Sequence, residues 1–308
     1  MKTCYLPEGY LLETPENKRR TANRAALEEA FAEGALLEAR ALRSDAAHNL
    51  HVSIGGLPGV IPREECALGI AEGTTRDIAI LTRVNKPVRF AVTGFEYGAT
   101  GPVAVLSRRE AQRRYTEEVL PCLRPGDVLD VRVTHLEKFG AFCDIGCGVT
   151  SLLPIDGISV SRIPHPSVRF AVGDDIRAAV RFIEDGRVTL THKELLGTWE
   201  ENAALFHVGD TVSGVVRSVE NYGIFVELTP NLAGLAEYVP NVEEGMQASV
   251  YIKSLLAEKM KCKLILVDFF EADYPRERPH YFTEERHLSH FRYSPEGCER
   301  VVETIFDE

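Results

Sequence analysis

The 308-residue sequence has no apolar run approaching the roughly 18 residues that a membrane-spanning helix needs. Its first nine residues also lack the basic stretch followed by an apolar stretch that marks a secretory signal. Both absences favour a cytoplasmic protein without a membrane partner. With 44% hydrophobic and 26% charged residues, the composition is typical of folded globular domains.

Cysteine is scarce and scattered. The seven cysteines form no even, closely spaced set of the kind that a disulfide framework requires. Cys143 and Cys147 have the spacing of half a zinc site, but no second pair with ligand spacing follows them. We therefore expect structural cysteines in a reducing compartment and no metal site.

Motifs of the common catalytic sites are also missing. The sequence has no Gly-x-Ser-x-Gly, no phosphate-binding loop ending in Gly-Lys-Ser/Thr, no His-Glu-x-x-His and no Gly-x-Gly-x-x-Gly. These absences predict a protein that has no catalytic residues, binds no cofactor and is not an enzyme.

The sequence has fewer basic than acidic residues, 35 Lys and Arg against 46 Asp and Glu, and its formal net charge is -11. A protein that coats duplex DNA neutralises many phosphates with Lys and Arg, so this class is disfavoured. Binding of single-stranded RNA remains open, because bases stack on aromatic rings independently of the net charge.

An internal repeat is the most informative feature that is present. The segment from Gly126, GDVLDVRVTHLEKFGAF, aligns without a gap with the segment from Gly209, GDTVSGVVRSVENYGIF. After the Gly-Asp turn, both show the alternation of a half-buried strand. Four more strands are predicted in each copy, at 141–145, 151–153, 176–182 and 187–191, and at 224–228, 234–236, 246–252 and 261–265. Five short strands in about 70 residues predict a small closed barrel, because so small a sheet covers its core only by curling.

A weaker third copy lies upstream. Residues 84–92 echo residues 172–180, and Gly34 is the predicted start of this copy. Where the other copies have an aromatic pair, it has Ala47, His48, Leu50 and His51. The first barrel is therefore predicted to be a docking or structural domain.

An aromatic-Gly-x-Phe element separates the first two predicted strands of each clear copy. It places Phe139 beside Phe142, and Tyr222 beside Phe225. The glycine lets the backbone turn closely, so the rings can lie side by side on the surface and stack on RNA bases. The alternative is that Phe142 and Phe225 fill the barrel cores. Polar neighbours favour the first reading; these are Arg132, His135, Lys138 and Arg217.

Several motifs resemble those of one known family. They are Pro125-Gly126-Asp127, Phe139-Gly140-x-Phe142, SLLPI at 151–155, GRVTLT at 186–191 and LAGLA at 232–236. With these motifs the two copies resemble the S-one RNA-binding domain, an OB-fold module named after the largest protein of the bacterial small ribosomal subunit. The resemblance covers residues 122–269 well and 32–107 weakly.

The resemblance implies an RNA surface made of two aromatic residues, a histidine on the third strand and a basic residue that begins the fifth. Carried over by position, the aromatic and basic residues are Phe139, Phe142 and Arg187 in the middle barrel, and Tyr222, Phe225 and Lys261 in the last. Pro154 and Glu237 stand where the family has its histidine. His192 is a candidate to substitute for it in part.

The resulting fold class is mainly β, with tandem five-stranded OB-fold barrels joined by short α-helices. The predicted segments are an N-terminal helical segment (1–31), a diverged barrel (32–107), a linker helix (108–121), an RNA-binding barrel (122–193), a second linker helix (194–205), a second RNA-binding barrel (206–269) and an irregular tail (270–308) with a helix near 295–306.

Two functional hypotheses remain at this point. The first is binding of single-stranded RNA in translation or RNA metabolism, with the small ribosomal subunit as a second expected partner. The middle barrel is the first choice for RNA, because it has as many basic as acidic residues, nine of each. The last barrel has eight acidic but only five basic residues. The second is an adaptor whose barrels dock on the ribosome or another protein. Burial of all four rings would favour the adaptor.

Overall fold

The computed structural model describes residues 5–98 and 101–306. These residues form two compact units. The first unit holds the chain up to Leu123 together with Asp130–Arg132 and Asp144–Thr150, and the second holds the other described residues. Residues 1–4 of the predicted N-terminal segment and residues 307–308 of the predicted tail lie outside the described residues.

Three closed five-stranded OB-fold barrels follow one another along the chain, which confirms the predicted fold class. The strands of the first barrel are β1 (Leu36–Ser44), β2 (Leu50–Ile54), β3 (Leu57–Ile61), β4 (Pro87–Gly98) and β5 (Gly101–Ser107). The middle barrel has β6 (Val128–Glu137), β7 (Gly140–Gly146), β8 (Val149–Pro154), β9 (Asp175–Glu184) and β10 (Arg187–Thr191). The last barrel has β11 (Thr211–Glu220), β12 (Gly223–Thr229), β13 (Leu232–Ala236), β14 (Gln247–Leu256) and β15 (Lys261–Phe270).

One strand order serves all three barrels. The first strand lies between the second and the fourth, and the third strand pairs with the fifth. This last pairing is parallel and closes the sheet; it joins Gly59 to Ala104, Leu152 to Thr189, and Leu235 to Lys263. Closure removes the exposed strand edges that a five-stranded open sheet would present.

The helices are short. They are α1 (Pro15–Arg20), α2 (Arg24–Glu33), α3 (Ile78–Leu81), α4 (Arg108–Glu118) and α5 (Trp199–Ala203). Two of them lie in the N-terminal segment, because the Asn23 side chain accepts a hydrogen bond from the Ala26 N–H and so starts α2. Gly34, with φ of 64°, ends that helix just before the first strand. No helix in the described ranges is long and apolar enough to cross a membrane.

A buried network of charged groups lies in the first unit. Arg108 at the start of α4 donates to both carboxylate oxygens of Glu8, at 2.6 and 3.0 Å. Asp144 accepts hydrogen bonds from the backbone N–H groups of Glu8, Gly146 and Gly148 at 2.8 to 3.0 Å. Burial and the nearby Glu8 carboxylate raise the pKa of Asp144 to about 6. Burial also acts to raise the pKa of Glu8, but Arg108, Arg83 and the Arg89 N–H together outweigh it and lower that pKa. These contacts tie Glu8 of the N-terminal segment to α4 and to Asp144 on β7.

The tail, residues 270–306, is part of the second unit. The predicted helix near 295–306 is wrong: within the described residues this stretch holds β17 (Glu303–Ile305), which pairs with β16 (His290–Arg292). Leu288 and Phe306 pack with core residues Val128, Ala179 and Leu195. These apolar contacts make the tail part of the packing of the middle barrel.

We expect Arg108→Ala to lower the free energy of unfolding by about 3 to 5 kcal/mol, because it removes the two hydrogen bonds that Arg108 donates to the buried Glu8 carboxylate. Arg113→Ala is the matched control on the same helix, since its ion pairs with Glu110 and Glu117 are exposed. Urea unfolding of both variants measures the difference. Equal stability of the two variants would contradict the structural role given to Arg108.

Candidate nucleic-acid interface

A glycine begins the second strand of the middle and last barrels at a point of close backbone approach. A Cβ atom on Gly140 would lie 2.5 Å from the Leu153 carbonyl oxygen, and one on Gly223 would lie 2.5 Å from that of Ala236. Only glycine therefore lets the second strand lie this close to the third. The close approach fixes the turn that carries the aromatic residues.

The rings beside these glycines lie on the outer faces of the barrels. Phe139 is 55% exposed and Tyr222 is 69% exposed, whereas Phe142 and Phe225 are half-buried. Each pair meets edge to face, with ring centroids 5.9 Å apart in the middle barrel and 6.2 Å apart in the last. We call these two pairs the aromatic platforms. None of the four rings is buried, so the burial that would have favoured the docking adaptor is not observed.

Two predicted polar residues accompany the platform of the middle barrel. The His135 ring stacks on Phe142 with its centroid 6.2 Å away and an interplanar angle of 25°. Its Nε2 lies 2.7 Å from a carboxylate oxygen of Glu137. Lys138 is exposed next to Phe139. His135 therefore extends the stacking surface, and Lys138 adds a cation at its edge.

The fifth strands begin with exposed cations, as the resemblance implies: Arg187 in the middle barrel and Lys261 in the last. The register adds a third cation that sequence reasoning missed. Phe225 is paired with Leu235, and Leu235 is paired with Lys263, so these three residues form one row across three strands. Lys263 is exposed at the end of this row. The sequence could not reveal it, because the parallel register joins segments far apart in the chain.

Two predicted arginines make protein contacts instead. Arg132 donates to the Glu8 carbonyl oxygen at 2.9 Å, and its guanidinium group lies 4.9 Å from the centre of the Tyr10 ring. Arg217 donates to both carboxylate oxygens of Glu227, each at 2.9 Å. These contacts occupy both guanidinium groups, and the structure does not bring either arginine into a ring contact with a platform.

His192 lies inside the second unit and is only 2% exposed. Its Nδ1 is 2.9 Å from the Ile158 carbonyl oxygen, and its ring contacts Phe170 and Tyr281 edge to face. Burial lowers the pKa of His192 to about 4, which keeps the ring neutral at pH 7. The expectation that His192 replaces the missing surface histidine is therefore at odds with its position.

Hydrogen bonds and an ion pair join the middle and last barrels inside the second unit. In the loop after β8, the Ser161 N–H donates to the Pro230 carbonyl oxygen, and the Val160 N–H donates to Asn231 Oδ1, both at 3.0 Å. Arg169 adds an ion pair with Glu227 at 2.5 Å. These contacts fix the loop between β8 and β9 against the last barrel.

Comparison with known proteins identifies the middle barrel. Residues 123–193 match the family model described as the S1 RNA binding domain. The middle barrel is an S1 domain. The last barrel repeats its strand order and its aromatic platform, and the first barrel repeats the strand order alone.

The most similar relatives include proteins named small ribosomal subunit protein bS1. The one from Staphylococcus aureus (strain COL) is 34% identical over 138 residues, which are 42% of this chain and 35% of the relative. The one from Leuconostoc lactis is 31% identical over 234 residues, 74% of this chain and 52% of the relative. The chain thus spans about half, or less, of the length of these relatives.

Among solved structures, a multidomain protein with nucleic acid binding domains from Streptococcus pneumoniae aligns over 76% of this chain and 74% of its own. The identity is 12% and the TM-score 0.25, so this match carries no argument about the fold or the site.

Acidification tests the placement of His192. Its pKa is lower in the folded state than in the unfolded chain. Between pH 6.5 and about 4, His192 is therefore protonated in the unfolded chain but neutral in the folded protein, so the free energy of unfolding falls as the pH falls. We expect the wild type to lose about 2 kcal/mol more than His192→Gln between pH 7.5 and 5. Urea unfolding at both pH values measures this, and identical losses would contradict a buried neutral ring.

Proposed function

We propose that this protein binds single-stranded RNA across the aromatic platforms of its middle and last barrels. The observation that carries the proposal is that two barrels in sequence each present an exposed ring beside a half-buried one, in the same edge-to-face geometry. Each base stacked on such a ring contributes about 1 to 3 kcal/mol, whatever the base. The binding is therefore expected to be tolerant of sequence.

Two linked platforms bind better than one. The contacts of Ser161 and Arg169 with the last barrel hold the two barrels together in the second unit. Once one platform has captured an RNA strand, the second meets that strand at a high effective concentration, so two weak sites sum to a useful affinity.

Each site residue has a distinct part in this proposal. The four platform rings stack on bases, and His135 enlarges the first platform. The exposed cations contact phosphates; they are Lys138 and Arg187 in the middle barrel, and Lys261 and Lys263 in the last. Arg132, Arg217 and His192 stabilise the fold through the contacts described above, and they are left out of the interface.

The names of the relatives favour a role in translation. We infer that the chain works in the cytoplasm with the small ribosomal subunit as a partner, as a binding protein and not as an enzyme. The support is the similarity to proteins named small ribosomal subunit protein bS1. The platforms favour RNA over an adaptor role, because both barrels present one exposed and one half-buried ring at the same positions, where bases can stack.

Removal of the rings tests the proposal. The pairs Phe139→Ala/Phe142→Ala and Tyr222→Ala/Phe225→Ala are each expected to weaken binding of a labelled RNA of about a dozen nucleotides by at least about tenfold, since each removes a base stack. Fluorescence anisotropy measures the affinity, and Phe139→Trp should retain it.

The matched control is Tyr97→Ala/Tyr274→Ala, which removes two rings of similar exposure outside the platforms. It should bind like the wild type. If the wild type fails to bind RNA even at low salt, the proposal is wrong and docking becomes the better account. The four-ring variant combines Phe139→Ala, Phe142→Ala, Tyr222→Ala and Phe225→Ala. If it binds RNA as tightly as the wild type does, the RNA binds outside the platforms.

A further inference from the structure

Lysine is concentrated in one hairpin of the last barrel. The chain has nine lysines, and four of them lie between residues 253 and 263, namely Lys253, Lys259, Lys261 and Lys263. Glu258 is the single acidic residue in that stretch. We call β14, β15 and the turn between them the lysine hairpin.

The strand alternation turns these lysines to one face. Val250 and Ile252 on β14 are buried, as are Cys262 and Leu264 on β15. Their neighbours in sequence therefore point outward, and Tyr251, Lys253, Lys261, Lys263 and Ile265 are all exposed. The register shifts between Ile252 and Ser254, which makes Lys253 the extra residue of a bulge beside the Ser254–Lys263 pair.

This face continues the aromatic platform of the last barrel. Lys263 ends the row that starts at Phe225 and crosses Leu235. Beyond it on the same hairpin, Tyr251 lies opposite Ile265. A strand of RNA stacked on Tyr222 and Phe225 thus meets three lysines and then a further exposed ring within one continuous outer surface.

The ammonium groups of the four lysines are not engaged by the protein. Within residues 5–98 and 101–306, none of them has a hydrogen bond or an ion pair. The corresponding turn of the middle barrel differs, because Glu184 and Asp185 precede Arg187 there, and the nearby Arg181 is paired with Asp156 at 3.3 Å. Within the described residues, four unengaged cations thus lie in the lysine hairpin, whereas the corresponding hairpin of the middle barrel has one, Arg187.

We propose that the lysine hairpin is the principal phosphate-binding face of this protein, so that the last barrel supplies most of the salt-dependent affinity for RNA. The inference rests on the proposed RNA binding and adds which phosphate contacts dominate. Total charge ranks the middle barrel above the last barrel for RNA, and the inference reverses that order. The reason is that screening limits the reach of each charge to about 8 Å at physiological salt, so a local cluster of lysines matters more than the total charge. Lysines act as point charges without directional demands, which suits tracking of a backbone of any sequence.

Salt titration of RNA binding by the full chain tests the inference. The probe is a labelled oligouridylate of about a dozen nucleotides, a length within the site sizes of such barrels. Three variants are compared with the wild type: Lys253→Gln/Lys261→Gln/Lys263→Gln, the same three positions changed to Arg, and Arg43→Gln/Arg76→Gln/Arg278→Gln. The last is the matched control, since it removes three exposed positive charges outside both platforms.

Each lost phosphate contact lowers the slope of log affinity against log salt by about 0.7 for a single strand, so the glutamine variant should lose about 2 from the slope. Its affinity at low salt should fall at least about tenfold. The arginine triple at the hairpin should keep the wild-type slope, and the control should keep both slope and affinity. Thermal unfolding checks that all variants are folded.

The outcomes separate the two proposals. If the glutamine variant keeps the wild-type slope while the four-ring variant loses affinity, the lysine hairpin is not the phosphate face and RNA binding still stands. If the control loses as much slope as the glutamine variant, overall charge is responsible and the inference is overturned. If Arg181→Gln/Arg187→Gln loses more slope than the hairpin variant, the middle barrel dominates instead. If the wild type does not bind the probe, both proposals fail.

Discussion

Each barrel depends on one parallel contact between its third and fifth strands. The other neighbours in the sheet are joined by hairpins or by the first strand, but this contact closes the ring and leaves no strand edge open. In the last barrel it also builds the surface, because the pairing of Leu235 with Lys263 brings the cations of β15 into line with the ring of Phe225. The interior and the candidate interface therefore arise from the same constraint.

The sequence predicted what is encoded locally and repeated. Alternation and the aromatic-Gly-x-Phe element lie within single segments, so they predict the barrels and the place of each ring pair between the first two strands. Lys263, Arg132 and His192 could not be placed in this way, because their partners lie far away in the chain; Glu8, for example, precedes Arg132 by 124 residues. The strands of the tail are three residues long, too short to show a pattern.

Several arginines and the lysines of one hairpin have different surroundings in this acidic protein. Arginines such as Arg108 and Arg217 are paired inside it, where their planar groups grip a carboxylate with two hydrogen bonds. The lysines of the β14–β15 hairpin stay in solvent. The net charge of the chain is therefore a poor guide to the charge at the candidate interface, because a local cluster of lysines can be positive on an acidic protein.

The packing of Phe306 against Val128 sets an order of events during synthesis. The two residues are separated by more than half of the chain, yet they belong to one apolar cluster. Domains generally fold as they leave the ribosome, N-terminal part first. The first barrel has its own core and can follow that order. The middle barrel cannot complete its packing until the last barrel and the segment beyond it have been synthesised. Until then, part of the apolar surface of the middle barrel stays exposed to solvent.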